Sequence, residues 1–322
     1  RASKRVWFVA YPLIVTFRYL CVIILGLIVL VHFFLILIAS PSEAAISTWD
    51  GGATGNNNWG NRTNWVGDVA VANGNDLIFQ GTTKQMNTNN TLTSVGWITL
   101  ANAGWTIRGN GIQLNGHFTN VTGNSTFNLA MTNNADRIYH IAVGTVTMDG
   151  VIRGSGGLIK TGSGTNLLRA ANLYTGNTWV KEGALRCGIP SGSGVNRLPP
   201  ATVLTLGDGV SNTSGRLELN NRAQTVAGLT TAGTGNNNRV VNSSATMITF
   251  TVNNTNNYVF SGFLGGPNAN DNNFAFTKTA TGILTLSGAN TYDGTTTLSD
   301  GILRLGANQV IPDGSGKGNV TL

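Results

Sequence analysis

The sequence predicts an all-β chain that folds as a right-handed parallel β-helix, preceded by an N-terminal hydrophobic signal or anchor helix. Three observations lead to this prediction. Two long stretches of the chain repeat one another, short apolar runs alternate with turn residues along most of its length, and an uncharged apolar stretch lies near the N-terminus. Together they divide the 322 residues into a targeting segment, 1–45, and a solenoid domain, 46–322.

The targeting segment predicts export. Residues 19–39 contain no Asp, Glu, Lys or Arg, and basic residues precede them. A hydrophobic helix of about 20 residues can span a bilayer, and basic residues on its N-terminal side hold that end in the cytoplasm while the rest crosses. Ser42 and Ala44 are small residues at the spacing that signal peptidase accepts. We expect cleavage near Ala44 or Ala45, with an uncleaved membrane anchor as the alternative.

A tryptophan-rich stretch, at about residues 47–67, opens the exported part. It contains Trp49, Trp59 and Trp65 among Asn, Asp and Gly residues. Flat aromatic side chains flanked by amides can hold a sugar ring, so these three tryptophans are candidate glycan contacts. The alternative is a hydrophobic cap that covers the end of the solenoid, where an open sheet edge would invite pairing with other chains. The sequence favours the cap.

Short strands joined by tight turns are predicted beyond this stretch. Apolar runs such as 95–100, 203–206 and 283–286 show alternation and are bounded by Gly and Asn about every 8–12 residues. Gly and Asn tolerate the left-handed backbone of tight turns, whereas Thr, Val and Ile suit a pleated surface. This pattern alone allows a sandwich, a barrel or a solenoid.

The internal repeat favours the solenoid. Residues 156–188 and 274–306 align without a gap at a separation of 118 residues. A solenoid buries its core by stacking similar units, whereas a closed sandwich has no reason to repeat its sequence. The separation predicts about five coils of about 20–25 residues. The whole domain would then contain about 12 coils and form a rod about 60 Å long, at about 4.8 Å per coil.

Residues that occur once in each repeat are predicted to be scaffold. Lys160 and Lys278 resemble catalytic bases, but they occupy equivalent positions, and a unique active site would not be duplicated. Asn172 and Asn290 are expected to satisfy local backbone groups within a turn.

The composition limits the chemistry of the rest of the chain. Charged residues make up only 10 %, and Lys and Arg are scattered despite a net charge of +7, so no nucleic-acid stripe is predicted. His117 and His140 lie outside any zinc-binding spacing. Residues 268–273, with Asp271, could offer oxygen ligands to a hard cation, but a solvated Asn-rich loop explains them better. The acids form no paired cluster suited to glycoside cleavage, so no catalytic residue is predicted. No metal or cofactor is predicted either.

The repeats resemble the autotransporter-associated β-strand repeat. The second copy follows that family's spacing of Lys, Gly, Leu, Asn and Tyr over residues 276–298 and departs from it at Ala280 and Thr281. The first copy is looser at residues 169–171. The resemblance implies a bacterial, secreted or surface-displayed passenger with a parallel β-helix fold and no catalytic activity. It also implies a C-terminal translocator barrel, which would lie beyond residue 322.

The predicted function is a non-catalytic, exported structural or adhesive passenger at a bacterial cell surface. Its expected partner is a surface polysaccharide or a host or neighbouring cell, with no nucleic acid. Membrane contact is expected only through the N-terminal segment or the implied barrel. Two alternatives stay open: a β-helix that binds or cleaves polysaccharide, and a spacer for a catalytic domain beyond residue 322. An enzyme should carry a non-repeated cluster of acids and bases on one solenoid face, whereas an adhesin should not.

Overall fold

The computed structural model of the chain describes residues 44–188 and 196–322. These residues form short strands joined by turns, with two short 3-10 helices at Arg62–Asn64 and Val66–Asp68. The predicted signal or anchor segment lies almost wholly outside the described residues and stays a prediction.

No helix in the described parts of the chain has the length and apolarity needed to cross a bilayer.

The strands are β1 (Ile46–Trp49), β2 (Asp76–Phe79), β3 (Met86–Asn89), β4 (Ser94–Val95), β5 (Ile98–Leu100), β6 (Thr106–Gly109), β7 (Ile112–Leu114), β8 (Phe118–Asn120), β9 (Ser125–Asn128), β10 (Met131–Thr132), β11 (Arg137–Ile141), β12 (Thr145–Met148), β13 (Ile152–Gly154), β14 (Leu158–Thr161), β15 (Thr165–Leu168), β16 (Leu173–Tyr174), β17 (Thr178–Val180), β18 (Gly183–Cys187), β19 (Val203–Leu206), β20 (Gly215–Glu218), β21 (Gln224–Val226), β22 (Gly228–Thr231), β23 (Arg239–Val241), β24 (Ile248–Asn253), β25 (Tyr258–Phe260), β26 (Phe263–Leu264), β27 (Phe274–Thr279), β28 (Ile283–Leu286), β29 (Thr296–Leu298), β30 (Ile302–Leu305) and β31 (Val320–Thr321).

These strands make three faces that the chain visits in turn, once per coil. Face 1 runs β1-β2-β5-β8-β11-β14-β17-β19-β22 and continues through β25-β28-β30. Face 2 runs β3-β6-β9-β12-β15-β18-β20-β23-β26. Face 3 runs β4-β7-β10-β13-β16 and continues through β21-β24-β27-β29-β31. Arg197 joins the two parts of face 3, because its carbonyl accepts from the Asn172 N–H and its own N–H donates to the Gln224 side chain.

Strands pair in parallel with the equivalent strand of the next coil. On face 1, Phe118 pairs with Ile98 of the coil before and with Tyr139 of the coil after, which gives coils of 20 and 21 residues. The described part contains about 11 turns, close to the 12 predicted. The predicted all-β parallel solenoid is therefore confirmed.

Alternation within each strand builds the core. In β28 the side chains of Leu284 and Leu286 point inward and are fully buried, whereas Ile283 and Thr285 are partly exposed. Because most of the described strands repeat this pattern, the inward residues stack into one apolar core along the solenoid. Removal of this surface from water stabilises the fold by about 25 cal/mol per Å².

Stacked coils require glycine where the backbones approach closely. Gly109 and Gly154 have φ of 113° and 107°, in the region that side chains disfavour. A Cβ at Gly109 would lie 2.1 Å from the Asn89 carbonyl oxygen, and one at Gly154 would lie 2.2 Å from that of Asn133. Each of these carbonyls belongs to the preceding coil, so glycine at these positions sets the tight coil spacing.

The two repeat copies are separated by slightly less than the five coils predicted. Lys160 lies in β14 on face 1, whereas Lys278 lies in β27 on face 3. The chain therefore passes four complete coils and two further faces between them. The coils lengthen in this region, as the pairing of Val180 with Leu206 shows. Equivalent residues of the two copies thus lie on different faces.

Candidate binding surface

The three tryptophans that the sequence offers as glycan contacts lie inside the solenoid. Trp49, Trp59 and Trp65 are each exposed by 1 % or less, and the rings of Trp49 and Trp65 meet edge to face at 5.2 Å. The Nε1 of Trp59 donates to Asn87 Oδ1 at 2.8 Å, and that of Trp65 donates to the Trp59 carbonyl at 2.7 Å. Since no ring presents a face to solvent, this arrangement does not support glycan stacking on these residues. It matches the alternative, a hydrophobic cap.

An exposed aromatic residue lies elsewhere, on the outer side of face 1. Trp97 is 47 % exposed, and its ring contacts the His117 ring at 4.7 Å. The Nδ1 of His117 accepts from the Ile138 N–H at 3.0 Å. Burial and the nearby Arg137 lower the pKa of His117, which favours this neutral acceptor form. Inward and outward side chains alternate along residues 97–100, so Ile98 and Leu100 enter the core while Trp97 points outward. This alternation could have identified Trp97 as exposed from the sequence.

A second tryptophan on the outer side of face 1 already has a cationic neighbour. The Lys181 ammonium lies 4.2 Å from the centre of the Trp179 ring and 3.4 Å from Asp208 Oδ1. The indole N–H of Trp179 donates to the Gly207 carbonyl at 2.6 Å. Hydrogen bonds from Ser211 lower the pKa of Asp208 to about 2, so this carboxylate stays charged beside the lysine. A sugar would have to displace Lys181 to stack on Trp179.

A polar groove of about 220 Å³ lies on face 2. Four of its lining residues pair in register on successive coils: Thr165 on β15, Ala184 on β18, Arg216 on β20 and Arg239 on β23. The loop at residues 267–271 contributes further lining. The volume is below that of typical pockets for whole small molecules. A groove of this size suits a short segment of a longer ligand.

The two arginines in the groove are held by other side chains. Arg216 and Arg186 both form ion pairs with Glu218, whose side chain is only 2 % exposed. The Arg239 guanidinium lies 4.4 Å from the centre of the Phe263 ring. These contacts restrict both guanidinium groups before any ligand is present.

The Asn-rich loop next to the groove uses its carboxylate internally. Asp271 is buried, and its Oδ2 accepts from the Asn268 backbone N–H at 3.1 Å and from the Asn268 side chain at 2.9 Å. The Asp271 carbonyl accepts from the Asn242 N–H at 3.0 Å. Within residues 268–273, Asn268 and Ala269 are exposed, as in a solvated loop, whereas Asp271 is buried. Within the described ranges, no group of three His, Cys, Asp or Glu residues could hold a metal ion.

The repeated lysines act as buried supports for turns. The Lys160 side chain is fully buried, and its Nζ donates to the carbonyls of Thr161 at 2.7 Å, Gly162 at 2.6 Å and Glu182 at 3.2 Å. Lys278 makes the equivalent set of bonds. Because every donor of the ammonium is directed at a backbone carbonyl, this position stabilises the turn and offers no access to a substrate.

The repeated asparagines join neighbouring coils. Asn172 Oδ1 accepts from the Ile152 N–H in the preceding coil at 2.8 Å, and its Nδ2 donates to the Arg197 carbonyl in the following coil at 2.8 Å. Asn290 makes the same two kinds of bond. Asn172 makes a local bond of the predicted kind, since its Nδ2 also donates to the Ala170 carbonyl at 3.3 Å, but the other bonds of both asparagines join neighbouring coils.

The two segments that carry these buried contacts match one known repeat. Residues 158–186 and 276–305 match the passenger-associated-transport repeat. Two segments of the chain are similar to this repeat. In both, the Lys and Asn of the repeat are buried and tie turns or coils together. The resemblance inferred from the sequence is therefore confirmed.

Parts of the chain are also similar to two much longer proteins. It is 30 % identical over 164 residues to the adhesin BmaC autotransporter of Brucella suis biovar 1 (strain 1330), which covers 50 % of this chain and 4 % of that protein. It is 59 % identical over 34 residues to an extracellular serine protease of Serratia marcescens, which covers 11 % of this chain and 3 % of that protein. The chain thus spans only a few per cent of these relatives. No solved structure matches it.

Proposed function

We propose that this chain is an exported, non-catalytic rod that serves structure and adhesion at a bacterial cell surface. The observation that carries the proposal is the use of the repeat residues. Lys160 and Asn172 are buried, and their polar atoms bond to backbone groups of the turn or of neighbouring coils. The repeat therefore supports the solenoid and leaves contact with other molecules to the outward side chains.

The physical basis of such a role is a rigid rod with adaptable outer faces. Parallel pairing runs along the axis, so each coil is hydrogen-bonded to the next and shares one apolar core with it. Outward positions can vary without loss of that core. The similarity to an adhesin and to an extracellular protease, both by their names displayed or released outside a cell, supports export and an adhesive role.

The proposal is tested on cells that express the parent gene. Antibodies raised against this chain should label intact cells, and external protease should remove the label without lysis. Deletion of the gene should lower adherence to surfaces or to other cells, and purified chain should restore it or compete with it. A chain that stays inaccessible on intact cells, or a deletion that leaves adherence unchanged, would contradict the proposal.

The second candidate function is a spacer that carries a catalytic domain elsewhere in the parent polypeptide. The match to an extracellular serine protease favours it. A stretch of 34 residues of this chain is similar to a small part of a much longer protein, whose name states a catalytic activity. Mass spectrometry of the surface-shaved parent protein, followed by assay with a serine-directed covalent probe, distinguishes the two. Labelling outside residues 1–322 supports the spacer, and absence of labelling supports the adhesive rod.

A further inference from the structure

We propose that the groove on face 2 binds a short segment of an acidic polysaccharide, with carboxylates of the sugars held by Arg216 and Arg239. This inference rests on the adhesive role proposed above and gives that role a contact site and a class of ligand. The groove spans successive coils, so a linear polymer can lie along the rod while only a few of its units enter the site.

The register of the two arginines supplies the spacing. Arg216 and Arg239 pair directly across β20 and β23, which places them about one strand spacing, ~4.8 Å, apart along the rod. A linear polyuronate carries one carboxylate per sugar at a comparable repeat along its chain. A guanidinium binds a carboxylate through two parallel hydrogen bonds, which a lysine cannot do. Two arginines in register therefore recognise charge that repeats along a polymer.

Both arginines are held in place before a ligand binds, which favours carboxylate binding in the groove. The Arg216 guanidinium is held by Glu218, and that of Arg239 by the Phe263 ring and by the Gly265 carbonyl, which accepts from Nη1 at 3.4 Å. Side chains that are already ordered lose less conformational entropy when a ligand binds. Glu218 also accepts from Arg186, so its single negative charge is shared between two cations. The positive charge of Arg216 is therefore only partly neutralised.

The remaining lining suits sugar hydroxyls. Arg216 and Arg239 against Asp271 give the groove lining a net positive charge. Asp271 bonds to Asn268 of its own loop, and the other polar groups of the groove, such as those of Thr165 and Asn268, are neutral donors and acceptors. These are the groups that bind hydroxyls beside a carboxylate.

A carbohydrate fits this lining better than a single-stranded nucleic acid does. Nucleic-acid grooves combine positive charge with aromatic side chains on which bases stack. The described residues that line the groove include no aromatic side chain. The exposed aromatic residue Trp97 lies on face 1, outside the groove.

The test measures binding of a uronic-acid trisaccharide, trigalacturonate, to the full chain by calorimetry at low and high salt. Binding should weaken as salt rises, since salt screens partly exposed charges. Arg216→Gln and Arg239→Gln should each weaken it about tenfold, the change that corresponds to about 1.4 kcal/mol. The matched control is Arg108→Gln, which removes an exposed arginine from β6 of the same face and should leave binding unchanged.

A second variant keeps both arginines in case their removal disturbs the fold. Thr165→Glu places a negative charge in the groove and should reduce trigalacturonate binding at least as strongly, with an unchanged melting temperature. Equal binding by all groove variants, or equal loss with Arg108→Gln, would overturn the proposal. Tighter binding of a thymidine trinucleotide than of trigalacturonate would also overturn it, in favour of a nucleic-acid partner.

Failure of this inference can be separated from failure of the proposed function. Surface labelling and adherence that survive the groove variants, with no trigalacturonate binding, would reject the groove and leave the adhesive rod intact. Arginine-dependent trigalacturonate binding by a chain that never reaches the cell surface would reject the adhesive role and leave the groove.

Discussion

Lys160 and Lys278 each donate to three backbone carbonyls in an equivalent arrangement, although the two lysines lie on different faces of the solenoid. The Nζ of each donates to its own strand's last carbonyl at 2.7 Å and to the next carbonyl at 2.6 Å. The third acceptor, at 3.2 or 3.3 Å, belongs to the turn of the following coil. The repeat therefore encodes a strand-turn-strand unit that can begin on face 1 or on face 3.

The buried lysine makes stability depend on pH. Burial lowers the pKa of Lys160 from 10.5 to about 7, while the nearby Glu182 charge acts in the opposite direction. Between these two pKa values the unfolded state binds more protons than the folded state, so the free energy of unfolding should rise with pH from about 7 to about 10.5. The slope should approach 1.4 kcal/mol per pH unit. Chemical denaturation at a series of pH values measures it.

Removal of the ammonium tests the assignment of that slope. Lys160→Met should lower the free energy of unfolding by about 1–3 kcal/mol near pH 7, because three carbonyls lose their donor. It should also flatten the rise above pH 7. Lys278→Met is the matched variant in the second copy, where burial also lowers the lysine pKa. An unchanged slope in the double variant would assign the pH dependence to other groups.

Asn166 is expected to be a weak point of the core. It is fully buried in β15, and neither Oδ1 nor Nδ2 has a hydrogen-bond partner. The equivalent residue of the second copy is Leu284, which is also fully buried. An unpaired buried amide costs about 1–3 kcal/mol, so Asn166→Leu should raise the free energy of unfolding by that amount in denaturant titrations.

The reciprocal variant provides the control for Asn166. Leu284→Asn introduces a polar group where the second copy has an apolar contact, and it should lower the free energy of unfolding by about 2–5 kcal/mol. If Asn166→Leu destabilises the chain while Leu284→Asn is tolerated, the amide has a structural task that these contacts do not explain.

The sequence was informative about the solenoid because its signals are local and repeated. Alternation in runs such as 283–286 identifies inward residues, and the 118-residue repeat favours a solenoid over a closed sandwich. The groove is different, since Thr165, Arg216 and Arg239 are far apart in sequence and meet only through coil register. Separations between paired residues that vary from 19, for Thr165 and Ala184, to 32, for Ala184 and Arg216, make that register inaccessible to pattern analysis.

The tryptophan cap should contribute stability and not ligand binding. Trp59 is fully buried, so Trp59→Ala should lower the free energy of unfolding by about 3–5 kcal/mol. Trp97→Ala, at a half-exposed position on face 1, should cost less than about 1 kcal/mol. Thermal melts and retention on immobilised glycans separate the two effects. Glycan retention lost with Trp59→Ala at an unchanged melting temperature would restore the sugar-stacking hypothesis.

Glu218 should be the most sensitive carboxylate of face 2. Its two oxygens accept from Arg186 and Arg216, and its side chain is almost fully buried. In Glu218→Gln the amide NH₂ would face a guanidinium, so that one accepted bond becomes a contact between two donors. The free energy of unfolding should fall by about 1–3 kcal/mol, with partial relief because both arginines reach solvent. Asp313→Asn, at an exposed position, should change it by less than about 0.5 kcal/mol. Equal effects of the two variants in denaturant titrations would show that the ion pairs of Glu218 add nothing to the stacking of β18 on β20.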